Sequence, residues 1–267
     1  VVESIHLDSQ FRKIKDWLSP PDPSTNFVKA LKMHYEGTGL WFLDSELSEQ
    51  WKSGSRQHLW LYGIPGCGKT VLTSTIIDHL RQNQSYSSTL VLDFFLDFSD
   101  TRKQSLDQLV RSLVAQLYAR CKDSRGELDA LFTNCEGGDQ QPTTDSLRAT
   151  LKAMVQHVQA VQIVIDALDE CQTRKDLLSW MRELATSDHK NIYLLATSRR
   201  EDELESELKS WLSEESFIPI QQGSVDADIG AYIHGTLRAD NEFRRWRSKP
   251  AVLEEMETEL RKKADGM

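Results

Sequence analysis

The stretch Gly63-Ile64-Pro65-Gly66-Cys67-Gly68-Lys69-Thr70 decides how the rest of the chain is read. It fits G-x-x-x-x-G-K-[ST], a loop whose backbone N–H groups cradle the phosphates of a nucleotide. Immediately before it, His58-Leu59-Trp60-Leu61-Tyr62 is short, apolar and aromatic, which predicts a strand. After it, Val71, Leu72, Ile76, Ile77 and Leu80 recur at helical spacing. Strand, glycine loop and helix, in that order, are the context the motif requires. Gly63, Gly66 and Gly68 allow the backbone to curl until several N–H groups point at one anion. The helix that starts near Lys69 adds its positive end. Lys69 then reaches the terminal phosphates, and the Thr70 hydroxyl ligates Mg²⁺. The predicted nucleotide contacts are therefore Gly63, Ile64, Pro65, Gly66, Cys67, Gly68, Lys69, Thr70 and Val71. Cys67 reads as a small residue filling the loop, with an oxidisable thiol near a helix N-terminus as the second reading.

Downstream, strands and helices alternate. Thr89 to Leu96 is β-rich, and a helix with Leu106, Leu109, Val110, Leu113, Val114 and Leu117 on one stripe follows it. Two further helical segments flank the turn 137–142. Val161 to Ile165 is a third strand, Asn191 to Ala196 a fourth and Phe217 to Ile220 a short fifth, with Leu177, Leu178, Met181 and Leu184 marking a helix between the third and fourth. This alternation predicts an α/β fold, a three-layer αβα arrangement around a five-stranded parallel sheet. After Gln222 the strand signal ends, and two helical patterns predict a C-terminal helical subdomain. The expected division is thus an N-terminal helical segment and linker over 1–54, a nucleotide-binding core over 55–222, and the start of a helical subdomain over 223–267.

Upstream, an amphipathic piece with Phe11, Ile14, Trp17 and Leu18 stops at Pro20-Pro21-Asp22-Pro23. A second piece carries Phe27, Leu31 and Tyr35. Leu40-Trp41-Phe42-Leu43 then leads into a helix that Asp44 or Ser45 caps. Trp41 and Phe42 are either core residues or walls of a pocket for the base.

Two strand ends carry the remaining chemistry. Val161-Gln162-Ile163-Val164-Ile165-Asp166 is an apolar strand ending in a carboxylate, and Asp169 and Glu170 follow at once. Ligands of such sheets bind beyond the C-terminal ends of the strands, so these acids are expected to face the phosphate loop. Asp166 is placed to hold Mg²⁺ together with Thr70. Asp169 or Glu170 is placed to orient or deprotonate a water. The fourth strand ends in Thr197-Ser198-Arg199-Arg200, where either arginine is a candidate for reaching a γ-phosphate or a plain surface charge.

Composition bounds the partners. In 267 residues, 39% are apolar and 27% charged, the balance of an ordinary globular protein. Lys and Arg total 32 against 41 Asp and Glu, and the net charge of −9 disfavours direct nucleic-acid binding, which demands a basic face. No apolar run approaches the roughly 18 residues of a membrane span. The four cysteines show no metal-binding spacing and read as reduced thiols. The start at Val1 shows no secretory leader and reads as that of an excised piece. A cytoplasmic location is expected.

Together, GIPGCGKT (63–70), IVIDALDE (163–170) and LLATSR (194–199) resemble the NACHT family of STAND nucleotide switches. The segment Gly37 to Leu43, GTGLWFL, is similar to one that fungal NOD-like receptors carry ahead of their phosphate loop. The resemblance covers roughly residues 20–267. It implies the strand order 5-1-4-3-2, with ATP/ADP or GTP/GDP and Mg²⁺ as cofactors. Lys69 and Thr70 would then bind phosphate and metal, Asp166 would support the metal, Asp169 and Glu170 would serve hydrolysis, and Arg199 would act as the catalytic sensor. Relatives often have Gly where Ala167 stands, and they place a base-contacting proline segment where this chain has 264–267. The winged-helix part and sensor repeats of such receptors would lie beyond residue 267. The expected activity is slow NTP hydrolysis by a switch that controls self-association of a full-length fungal immune or self/non-self receptor, the fragment itself being monomeric. The alternatives are a small-molecule kinase, which lacks its arginine-rich lid here, and a ring-forming remodelling ATPase, whose trans-acting arginine and pore loop are not identifiable. The lack of an N-K-x-D guanine-reading motif leans mildly towards adenine.

Overall fold

The computed structural model describes residues 2–83, 89–187, 190–220 and 222–264. Its centre is strand β1 (His58–Tyr62), whose Leu59, Trp60 and Leu61 are all buried. Strands β2 (Thr89–Phe95), β3 (Ala160–Asp166), β4 (Ile192–Ser198) and β5 (Phe217–Pro219) complete a sheet in the order β2-β3-β4-β1-β5. Every pairing is parallel. The order is the expected 5-1-4-3-2. Register brings Tyr62 of β1 level with Ser198 of β4, and Ile165 of β3 level with Ala196 of β4. The C-terminal ends of β1, β4 and β3 therefore form one edge, where the phosphate loop and Asp166 both begin. The third and fourth strands run further than their apolar cores suggest, taking in Asp166 and Thr197-Ser198.

A parallel sheet needs cover on both faces, because crossover helices pack on each side. Alternation along β1 divides the contacts. Trp60 joins a core with α6 (Leu106–Arg120), α8 (Thr144–Val155), α9 (Arg174–Thr186) and α10 (Asp202–Lys209). Leu59 and Leu61 join the opposite core with α5 (Lys69–Asn83) and the short α3 (Leu40–Leu43) and α4 (Glu46–Ser53). Helix α7 (Arg125–Asn134) packs beside α8, and Leu128 enters the first core.

The N-terminal helices close this body. Ile14, Trp17 and Leu18 of α1 (Val2–Leu18) are buried in the α6 core. Helix α2 (Ser24–Met33) ends earlier than the apolar spacing predicts. His34 is extended (φ −65°, ψ 133°), so Tyr35 leaves the helix and turns elsewhere. Of the two cap candidates, Ser45 is the one used, accepting the N–H of Ser48. Beyond β5 the chain is helical, with α11 (Gln222–Ala239) and α12 (Pro250–Ala264) packed on each other. No helix among the described residues is long and apolar enough to cross a membrane.

Candidate functional site

The loop between β1 and α5 curls through two left-handed glycines, Gly66 (φ 80°) and Gly68 (φ 84°), a backbone that L side chains resist. Gly63 is constrained differently: a Cβ there would lie 2.7 Å from Cys67 Sγ. Cys67 is buried and fills the inside of the turn, as expected of a small loop residue, while Ile64, Pro65, Gly66 and Gly68 are exposed. Lys69 opens α5 and folds back over the loop, its Nζ donating to the carbonyls of Gly63 (2.9 Å) and Ile64 (2.7 Å).

Asp166, at the end of β3, lies directly beside this loop and is 2% exposed. Its Oδ1 accepts from Thr197 Oγ1 of β4 at 2.5 Å and from Thr73 Oγ1 of α5 at 2.8 Å. The Thr70 side chain bonds it too. Burial pushes its pKa up, and the hydroxyls of Thr197, Thr70 and Thr73 and the Lys69 charge pull against that rise. A buried carboxylate under this tension gains from a cation. Thr70 and Asp166 are hard oxygen donors, the type Mg²⁺ prefers, and Mg²⁺ usually takes only one or two protein ligands besides phosphates and water. Among the described residues no group of three His, Cys, Asp or Glu side chains is set to hold a metal unaided. The donor set therefore fits a magnesium ion held jointly with phosphate oxygens.

After Asp166 the chain turns through Ala167, which is left-handed (φ 61°), and its N–H donates to Thr197 Oγ1 at 3.1 Å. A single 3₁₀ turn over Leu168–Glu170 then sends the two neighbouring acids to different partners. The Asp169 side chain is 5% exposed and grips the end of β4, accepting Arg199 N–H at 2.9 Å and pairing with Arg199 Nε at 3.2 Å. Among the described residues, Glu170 accepts the backbone N–H of Phe98 (2.8 Å). Its pKa is pushed up by partial burial and then by the charges of Asp169, Asp97 and Asp166, which the Phe98 bond only partly offsets. The arginines differ as well. Arg200 is exposed and tied by two bonds to Glu205, over the ring of Tyr62. Arg199 instead stands against the acid turn itself.

Beside the loop lies a largely apolar cavity of about 280 Å³. Gly66, Cys67, Gly68 and Val71 form its floor, Tyr35 and Trp41 one wall, and Val225, Asp228, Ile229 and Tyr232 of α11 the other. The adjacent aromatics thus divide: Trp41 lines the cavity, whereas the α3 turn rotates Phe42 into the core, where it is 1% exposed. The cavity residues of α11 carry only a helical periodicity in sequence, which reads as core packing. Ala264 ends α12, and 265–267, where the family resemblance put a base contact, lie outside the described residues.

The sequence pattern of the family described as Nephrocystin 3, N-terminal, matches residues 37–199. The vegetative incompatibility protein HET-E-1 of Podospora anserina is 25% identical over 214 residues, which is 74% of this chain and 15% of HET-E-1. Two solved structures from Aeropyrum pernix are similar in part. One is the ORC1 protein in complex with DNA, with TM-score 0.49 and 14% identity over 72% of this chain and 49% of that one. The other is the ORC2 protein in ADPNP–ADP complexes, with TM-score 0.41 and 12% identity over 73% of this chain and 48% of that one. This chain therefore spans a small part of HET-E-1 and about half of each solved chain.

Proposed function

The chain belongs to the nephrocystin 3 N-terminal family and is a NACHT-type P-loop domain, and from that premise we propose that it is a nucleotide-operated switch that binds a nucleoside triphosphate with Mg²⁺ and hydrolyses it slowly. The observation that carries this reading is the convergence of the phosphate loop, Asp166 with its three threonines, Glu170 and Arg199 on one edge of the sheet. In this reading Lys69 leaves the Gly63 and Ile64 carbonyls for the β- and γ-phosphates, and the loop N–H groups hold the remaining oxygens. Thr70 and Asp166 hold the metal, which when bound neutralises charge on the phosphate oxygens. Glu170 takes a proton from water. Asp169 works as the anchor that presents Arg199, and Arg199 senses the γ-phosphate. The base lies in the cavity between Trp41 and α11.

A switch must interact differently with triphosphate and diphosphate, or binding shifts nothing. The γ-phosphate contacts at Arg199 supply that difference, and α11, which touches both the cavity and the N-terminal segment, is positioned to respond. The likeness to the vegetative incompatibility protein HET-E-1 supports a role in fungal self/non-self recognition, with self-association of a longer cytoplasmic receptor as the output. Titration of ATP and GTP with and without Mg²⁺, followed by phosphate release, tests the core of this reading. Micromolar binding, roughly 8 kcal/mol, that needs Mg²⁺ and is lost with Lys69→Ala supports it. Binding of neither nucleotide, or binding indifferent to Lys69, overturns it.

A further inference from the structure

One carboxylate holds the two walls of the cavity together. Asp228 of α11 accepts the backbone N–H of Gly39 at 2.8 Å, and the Trp41 side chain donates to it as well. Gly39 lies 189 residues away along the chain. Gly39 is left-handed (φ 79°) and wedged against α5, where a Cβ would come within 3.1 Å of Leu72 Cδ1. Further along α11, Gly235 makes room for the Tyr35 ring: a Cβ there would fall 2.1 Å from it. The segment 35–41 is therefore gripped by α11 on one side and by the helix of the phosphate loop on the other. Its only polar fastening to α11 among the described hydrogen bonds is Asp228.

We propose that Asp228 is a positioning residue for the nucleotide: it fastens the segment 35–41 to α11, which sets Trp41 as the wall against which the base lies. This rests on the nucleotide reading given above and deepens it. Asp228 need not touch the phosphates, so its influence should fall on the nucleoside half of the ligand alone. The half-buried carboxylate serves two N–H donors at once. An asparagine of the same size has one acceptor oxygen where the carboxylate has two, and no negative charge to hold both donors.

The test compares wild type with Asp228→Asn against two probes, a nucleoside triphosphate (ATP and GTP in turn) and inorganic tripolyphosphate, which engages the phosphate loop only. The expected result is that D228N loses about tenfold in nucleotide affinity through faster dissociation, with KM raised and kcat at saturation unchanged. Tripolyphosphate affinity should be the same in both proteins. Trp41→Phe, which removes the indole N–H and part of the ring face but leaves the Gly39 bond, should give a smaller loss, about threefold, and less than the sum of the two losses when combined with D228N. If D228N does not fold, Asp228→Ser, which keeps one acceptor oxygen and leaves Trp41 intact, is read with the same two probes and decides the question. Nucleotide affinity unchanged in the variants overturns the proposal, and so does an equal loss for both probes, which would place the effect on the fold or the loop. If wild type binds tripolyphosphate and nucleotide equally well, the base makes no contact and the proposal falls while the phosphate loop stands. If wild type binds neither, the nucleotide reading itself fails and takes this proposal with it.

Discussion

Replacing Thr197 by valine removes one hydroxyl and nothing of the side chain's shape, yet that hydroxyl serves two buried groups. It donates to Asp166 Oδ1 at 2.5 Å and accepts the Ala167 N–H at 3.1 Å. Thr197 is 0% exposed, so no water replaces it. A hydrogen bond to a charged group contributes about 1.5–3 kcal/mol, and an orphaned buried N–H costs about 1–3 kcal/mol. The valine methyl returns roughly 1 kcal/mol by burial, leaving a net loss of about 3 kcal/mol. For a urea slope of about 3 kcal/mol/M, the unfolding midpoint should fall by about 1 M at unchanged slope. Function should follow in a particular direction. With one donor fewer, the Asp166 pKa rises further, so protons compete better with Mg²⁺, and the loss of Mg²⁺-dependent nucleotide affinity should grow as pH falls. Thr197→Ser keeps the hydroxyl and should cost about 1 kcal/mol with affinity intact. A T197V midpoint within about 0.3 M of wild type, or an affinity loss independent of pH, would refute the role assigned to this hydroxyl.

Lys69→Ala should weaken ATP or GTP binding by at least about 2 kcal/mol, as read by calorimetric titration. Glu170→Gln should leave affinity intact and slow phosphate release by about 10²-fold or more. Because burial and neighbouring acids raise the Glu170 pKa, wild-type hydrolysis should decline as pH falls through a value above the usual carboxylate range, and that limb should vanish from the residual rate of the variant. Arg199→Ala should narrow the difference in affinity between triphosphate and diphosphate, whereas Arg200→Ala, which removes the exposed Glu205 pair and the contact over Tyr62, should preserve it. Ala167→Gly relieves a left-handed alanine and should raise stability by about 0.5–1 kcal/mol in thermal or urea unfolding.

The strand, loop and helix around Lys69 were legible because each has a local signature, and the strand order followed from the family resemblance carried by three motifs. The neighbouring pairs were harder. Asp169 and Glu170 are equivalent in sequence, and only the 3₁₀ turn aims one at Arg199 and the other at the Phe98 N–H. Trp41 and Phe42 are likewise interchangeable until α3 gives one to the cavity and one to the core. The α11 wall was invisible for another reason. Its contacts with the segment 35–41 join residues at opposite ends of the chain, and periodicity reports which face of a helix is covered but not by what.

The position of Lys69 has a consequence for how the loop is built. A glycine-rich turn has many conformations to lose on ordering, and glycine loses more freedom than any other residue. By donating to Gly63 and Ile64, the ammonium acts as an internal template that holds the curl with a group of the protein's own. In the proposed switch a nucleotide would meet an already shaped loop and exchange partners with the lysine rather than wind the loop itself. Discrimination comes with this exchange. A weakly charged anion would gain less from the loop N–H groups than a polyphosphate, and so would displace the two carbonyls less readily. On that reading the lysine would set a threshold of anion strength below which the loop keeps its own ammonium.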